Sequence, residues 1–307
     1  MNRKRLNIII ILILLLFFYE IFDHANIINN TIINSSKIWF YNIIPSILPI
    51  YIIIDLFINY NIIYYLKILY NPIKKIFKIN NNSAIIFILS ILSGFPSNSK
   101  YINSMLENKT INLNDANKLL VFTHFSNPLF IINTIGNNFL HNKRIGFIIL
   151  ISHYLTNIIL GLINRNYNIN TNDTYNYNYK KKSFTITLTD SIYNTIKILF
   201  LLYGIITFFM IITSIINVNI NLNPILKSII NGLLEMTGGI YYTSILNINI
   251  IYKAFLMTFF ISFGGLSIHM QVFSILNKYK LNYVNYLTFR IIHAILSSSI
   301  VYIILKL

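Results

Sequence analysis

Long apolar blocks alternate with short polar connections along the chain, and block length predicts the elements. Runs of about 15–25 apolar residues match the helix length that crosses a hydrocarbon core of roughly 30 Å at 1.5 Å per residue. Spans are expected at 6–22, 38–58, 145–163, 192–216 and 281–305. The period-two alternation of a β-barrel strand is absent.

Other blocks are interrupted. The run 84–92 is too short to span and stops at Ser93, Gly94, Phe95 and Pro96; 97–107 then places Ile102, Met105 and Leu106 on one helical face. A second short run, 250–263, stops at Gly264 and Gly265 and is followed by an amphipathic segment at 266–276. Pro45 and Pro49 interrupt 38–58, Asn127 and Pro128 break 115–135, and Gly238 and Gly239 are expected to break 222–246. Asn112 or Asn114 is placed to cap the helix that starts near Asp115. At 66–79, Lys67, Lys74, Lys75 and Lys78 punctuate apolar positions, as in a helix lying in the cytoplasmic interface. Arg3, Lys4 and Arg5 before 6–22 read as an uncleaved first span with its N-terminus inside, because no small-x-small site follows.

An internal repeat emerges from the two breaks. An offset of 169 (262 − 93) sets Ser93–Gly94–Phe95–Pro96 on Ser262–Phe263–Gly264–Gly265, Asn108–Lys109 on Asn277–Lys278, and His124 on His293. The fold class that follows is all-α, a polytopic membrane helix bundle with two internal repeats, each containing a broken or re-entrant helix pair. The chain divides into an N-terminal membrane repeat at 1–164, a polar loop at 165–189 and a C-terminal membrane repeat at 190–307. If both pairs re-enter from inside, most Lys and Arg fall on the cytoplasmic side; if each pair spans, the halves are inverted. Charge favours the first arrangement and transport mechanics the second, so both stay open.

Composition narrows the function. With 55% hydrophobic and 10% charged residues over 307 positions, and a mean hydropathy of +0.63, the apolar surplus must face lipid. The net charge of +16 lies between apolar blocks and not along one basic face, so it reads as lipid anchoring and excludes nucleic acid as a partner. The lipid bilayer and a small anionic solute are the expected partners, with room for a homo-oligomer. No cofactor or metal is implied, since cysteine is absent and no close His/Asp/Glu ligand set occurs. An enzyme is not expected: Ser93, Ser97 and His124 lack any nucleophile-elbow spacing.

The residues expected to hold the solute cluster at the breaks. Ser97, Asn98, Ser99 and Lys100 open a half-helix, whose unpaired N–H groups and positive dipole end favour an anion, with Ser93, Gly94 and Pro96 just before them. Ordinary capping with Lys100 reaching to the interface is the competing account. His124, Ser126, Asn127 and Pro128 form a second cluster, and Gly264, Gly265, Ser267, His269 and Gln271 repeat the half-helix arrangement. Glu235 is the acidic residue within the later spans; it is expected either to pair with Arg290 or to bind a coupling cation or proton.

The strings Ser93–Gly94–Phe95–Pro96–Ser97–Asn98–Ser99–Lys100, Thr123–His124–Phe125–Ser126–Asn127–Pro128–Leu129–Phe130 and Phe263–Gly264–Gly265–Leu266–Ser267–Ile268–His269–Met270–Gln271 resemble the sporulation integral membrane protein family with nucleoside-recognition (Gate) repeats. Asn98–Ser99 stands where many relatives carry the smaller Gly-Ala. The resemblance implies an endospore former, a place in the outer membrane around the forespore, and a link to moving dipicolinate, a small aromatic dianion, toward the spore. Two alternatives remain: a cation-coupled nucleoside transporter, and a membrane scaffold for coat or cortex proteins that depends on Lys180, Lys181 and Lys182.

Overall fold

The computed structural model describes residues 3–60, 67–167 and 183–307, so Lys180, Lys181 and Lys182 and most of the central polar loop lie outside the described residues. The described chain is an all-α polytopic bundle. Its helices are α1 (Arg3–Asp23), α2 (Ala25–Ile38), α3 (Ile44–Asn59), α4 (Lys67–Phe77), α5 (Asn81–Ser93), α6 (Ser97–Glu107), α7 (Leu113–Phe122), α8 (Lys143–Ile163), α9 (Phe184–Asn219), α10 (Pro224–Leu234), α11 (Met236–Ser244), α12 (Ile250–Phe263), α13 (Gly265–Ile275) and α14 (Tyr283–Lys306). π-Helical stretches at Trp39–Ile43 and Phe130–Phe139 complete the list. Four stretches are long and apolar enough to cross a membrane: Lys143–Ile163, Phe184–Asn219, Ile250–Ile275 and Tyr283–Lys306. Bends of 93° and 106° separate α1 from α2 and α4 from α5.

Caps explain several boundaries. Asn112 accepts from the Asp115 N–H while Asp115 reaches back to the Asn112 N–H, a reciprocal capping box that starts α7. Asn80, Asn142, Ser183, Asn223, Asn249 and Asn282 cap α5, α8, α9, α10, α12 and α14 in the same one-sided way. Pro45 sits in the first turn of α3, where its missing N–H is harmless, and only Pro49 falls inside that helix.

Three points differ from or add to the sequence reading. The segment 25–38, which the apolar blocks leave unassigned, is helical: Thr31, Ser35 and Ser36 bond Ser214, Thr207 and Tyr203, each at 2.8 Å, zipping α2 against α9. The break in 222–246 falls at Glu235, not at Gly238 and Gly239, because the Glu235 carboxylate accepts the Gly238 N–H at 2.7 Å and restarts the helix as α11. The two glycines lie within α11, and Gly239 rests against Gly232 of α10 with no space for a side chain.

The third point concerns the repeat. Asn80, before α5, bonds Asp115 at the start of α7 at 3.2 Å, and Asn82 bonds the Thr110 carbonyl at 3.1 Å. At the other end of α5, the Phe95 N–H donates to the Phe125 carbonyl at 2.6 Å, beyond the end of α7. From there α6 returns, with Asn98 bonded to Thr123 at 3.3 Å. Thus α5 and α6 form a re-entrant hairpin, and the 13 residues of α5, about 20 Å, cannot cross roughly 30 Å of hydrocarbon. The second broken pair behaves differently. Along α14, Tyr252 meets Tyr302 (6.1 Å), Ser262 meets Ser297 (2.7 Å) and Phe273 meets Tyr283 (5.2 Å), so α12 and α13 run through antiparallel to α14. One pair re-enters and the other spans. Lys278 and Glu107, after α13 and at the end of α6, pair at 2.7 Å, so both half-helices end on the same side. They run parallel to each other, while α5 and α12 enter from opposite sides.

Cysteine labelling tests this topology in a chain with no native cysteine. Lys109→Cys and Lys278→Cys are expected to react with an impermeant maleimide from one side, and Lys143→Cys from the other. Opposite sidedness for 109 and 278 would show inverted halves instead. Glycine substitutions test the crossing of the breaks: a Cβ at Gly94, which has φ +76°, would lie 2.5 Å from the Asn127 nitrogen. Gly94→Ala is therefore expected to lower stability by more than about 2 kcal/mol, left-handed backbone alone costing roughly 1–2. Gly204→Ala, with nothing within 4 Å, is expected to stay within about 1 kcal/mol of wild type, on the stabilising side. Thermal unfolding in detergent reads both.

Candidate functional site

Four interruptions of helix converge in the bundle: residues 94–96, residues 123–127, Glu235 and Gly264. Each leaves backbone groups without intrahelical partners, and inside a bilayer protein must supply them. Around 123–127 the supply comes from one face of α8. The Ser126 N–H donates to His153 Nε2 at 3.0 Å, Tyr154 donates to the Ser126 and Ile91 carbonyls at 3.0 and 2.9 Å, and Asn157 donates to the His124 carbonyl at 2.8 Å. The Arg290 guanidinium from α14 donates to the Val121 carbonyl at the end of α7, where cations are favoured. In the second half the contact is made by glycine: a Cβ at Gly265 (φ +64°) would lie 3.0 Å from the Met236 nitrogen, against the break at Glu235.

These bonds assign the buried imidazoles. His153 accepts at Nε2, so its Nδ1–H donates to Ser262 at 2.8 Å. His293 donates from Nε2 to the His153 carbonyl (3.0 Å) and accepts at Nδ1 from Arg290 (3.0 Å). His269 donates from Nε2 to the Phe263 carbonyl (3.0 Å) and accepts at Nδ1 from Tyr283 (3.3 Å). His124 stacks on Phe95 (centroids 4.4 Å apart) and meets Tyr286 at Nδ1 (3.4 Å), while its Nε2 has no partner and lies against Gly264. The two positions matched by the 169 offset, His124 and His293, come within 6.3 Å of each other.

Between the breaks lies a cavity of about 80 Å³. Its wall takes Phe95 and Pro96 from the first break, Ser126, Asn127 and Phe130 from the second, Glu235, Met236 and Thr237 from the third, and Ile268 and Gln271 from α13; Ile43, Ile47, Leu202 and Ile206 close the apolar side. Pro96 caps α6, so the start of that half-helix borders the cavity. Asn127 Oδ1 accepts the Leu129 N–H at 2.8 Å, which turns its amide nitrogen outward from the loop. Asn127 Nδ2 and Gln271 Nε2 are buried donors without a partner. The chemistry offered is thus a set of N–H donors opposite one carboxylate, in an aromatic and aliphatic wall.

Of the residues singled out in the sequence, Pro96, Ser126, Asn127, Gln271 and Glu235 line this cavity. Others serve neighbouring roles. Ser93 and Ser99 bond the carbonyls of Leu89 (2.8 Å) and Pro96 (2.5 Å). Ser97 faces Tyr51 and Tyr101, and Asn98 bonds Thr123. Pro128 opens the helical turn that follows the break, and Ser267 is buried in the first turn of α13. Glu235 and Arg290 do not pair: the carboxylate caps α11, and the guanidinium holds Val121 and His293. Lys100 pairs with Asp55 of α3 at 3.2 Å and lies 5.2 Å from the Tyr51 ring centroid, outside the cavity wall. Sequence reasoning missed Asp55 and the α8 face, although His153, Tyr154 and Asn157 within one turn of an apolar span were a legible polar stripe.

No family model matches the chain, and no solved structure matches it. Sequence comparison finds the sporulation integral membrane protein YlbJ of Bacillus subtilis (strain 168), 22% identical over 309 residues that cover 88% of this chain and 76% of the relative. The chain is a distant homologue of that protein. With the apolar helices above, it is a multi-pass integral membrane protein.

The Lys100–Asp55 pair, with side chains 11% and 17% exposed, generates a prediction. Lys100→Ala strands a mostly buried carboxylate and is expected to cost on the order of 3 kcal/mol of stability. Lys100→Met combined with Asp55→Leu is expected to recover most of it in thermal unfolding. A single Lys100→Ala variant that keeps its stability but loses solute binding would return Lys100 to the site.

Proposed function

We propose that this protein is a membrane carrier acting in spore formation, and that it binds a small, acceptor-rich solute in the cavity between the four breaks. The observation that carries the reading is the pair of buried, unpartnered amide donors, Asn127 from the first half and Gln271 from the second, on the wall of one cavity. A solute bridging the two halves at interrupted helices is the arrangement by which membrane carriers couple binding to a change of access. The membrane-embedded cavity and the sporulation relative together make dipicolinate, moved across the outer forespore membrane, the first candidate. Its ring suits Phe95 and Phe130, and its carboxylates and ring nitrogen suit the amides and the start of α6.

The repeats read as nucleoside-recognition elements support a second solute. Glu235 faces the cavity with a carboxylate, and among the described residues no Lys or Arg lines it; a neutral nucleoside would place its hydroxyl donors there. Uptake of radiolabelled dipicolinate into proteoliposomes decides between them. Saturable uptake that falls at least about tenfold in Asn127→Ala and Gln271→Ala, equivalent to roughly 1.4 kcal/mol for each lost contact, and that ignores uridine, supports the dipicolinate carrier. Inhibition by uridine with uridine uptake supports the nucleoside carrier. Folded protein that moves neither leaves the scaffold role.

A further inference from the structure

Glu235 is the titratable side chain on the cavity wall. It is 1% exposed and has no basic residue within ion-pairing distance among the described residues. Two opposing influences act on it. The start of α11, through the Gly238 N–H at 2.7 Å, favours the carboxylate. The aromatic and aliphatic wall, at membrane depth, favours the neutral acid. A carboxylate solute entering beside an ionised Glu235 would add a second like charge in a medium of low dielectric.

The charged and titratable groups on every packed element are committed elsewhere. Lys227 of α10 lies 4.9 Å from the Tyr242 ring of α11, beside Tyr241; Lys253 of α12, next to Tyr252, donates to the Ser244 carbonyl at 2.6 Å. His269 of α13 is held by Phe263 and Tyr283. On α9, Lys197 covers Tyr193, and neither Asp190 nor Tyr203 reaches the wall. Across the cavity, Lys100 is paired with Asp55, facing Tyr51 and Tyr101, and His124 lies behind Phe95. The π-helical stretch Phe130–Phe139 carries no ionisable side chain.

We infer that Glu235 is a proton-binding residue of this cavity, taking up one proton as a carboxylate solute binds and releasing it when the solute leaves, so that proton and solute cross together. Glu235 gains the proton from water at a carboxylate oxygen, the resulting O–H donates to a solute carboxylate oxygen, and the reverse transfer to water restores the anion. The partner is therefore a small organic anion carried with a proton, which deepens the carrier reading and rests on it.

Glu235→Gln tests the inference, since the amide oxygen can still accept the Gly238 N–H. The first measurement needs no solute. Infrared spectra of the full-length protein are expected to show a carboxylic acid band that appears on acidification and is missing from Glu235→Gln. No such difference, or a band present at every pH at which the protein stays folded, overturns the inference without touching the carrier reading. The second is dipicolinate binding by calorimetry in buffers of different ionisation enthalpy, expected to give about one proton taken up per solute in wild type and none in the variant. The third is transport with the membrane potential clamped at zero, where one proton per solute sets accumulation of about tenfold per unit of pH gradient. Glu235→Gln is expected to lose that accumulation. Equal accumulation by both proteins overturns the inference.

Discussion

A peptide group inside a bilayer has no water to turn to, so every interruption of a helix must be repaired by protein. This constraint organises the whole bundle. The second break, 123–127, is repaired by three side chains of α8, by the backbone of the first break and by Arg290. The repair requires close backbone approach, and Gly94 and Gly265 provide it at the two crossings, where a Cβ would lie 2.5–3.0 Å from a neighbouring backbone nitrogen. Packing of α8 and α14 against the breaks follows from those bonds.

The same constraint distributes the buried charges. Arg290 holds the carbonyl end of α7, and Lys100 holds Asp55, so neither cation is free for a solute. Glu235 caps α11 and faces the cavity. The imidazoles of His153, His269 and His293 are fully engaged in neutral hydrogen bonding. What remains unsatisfied on the cavity wall, among the described residues, is a pair of amide donors.

The parts of this arrangement that were legible in the sequence are those where local chemistry leaves no choice. Gly94–Phe95–Pro96 and Gly264–Gly265 stop any helix, and α6 begins at Ser97 and ends at Glu107 as its apolar face requires. Asn127–Pro128 is a break for the same reason. The failures share a different cause, since tertiary partners decided them. The segment 25–38 is too polar to announce a packed helix, and its hydroxyls, with Trp39 just beyond it, fasten it to α9. Gly238 and Gly239 look like a break, but a side-chain cap at Glu235 moves it three residues earlier and turns Gly239 into a packing contact. The ion pair of Lys100 was not legible because its partner, Asp55, is distant in sequence.

The offset of 169 sets α6 on α13 and His124 on His293, whose rings lie 6.3 Å apart, yet it hides the difference in path. Matching lengths cannot reveal the direction from which a half-helix enters. That direction is set by what precedes it: α4 turns 106° into α5 on the side where α7 begins, whereas α12 starts beside the far end of α14. The consequence for the site is asymmetry. The α5–α6 tip reaches the cavity as a hairpin fastened by Phe95 to the second break, while Gln271 is carried by a continuous path through the bundle. A solute that bonds both Asn127 and Gln271 would therefore join a re-entrant element to a spanning one, and the two amides remain unpaired because no side chain within the fold reaches across that boundary.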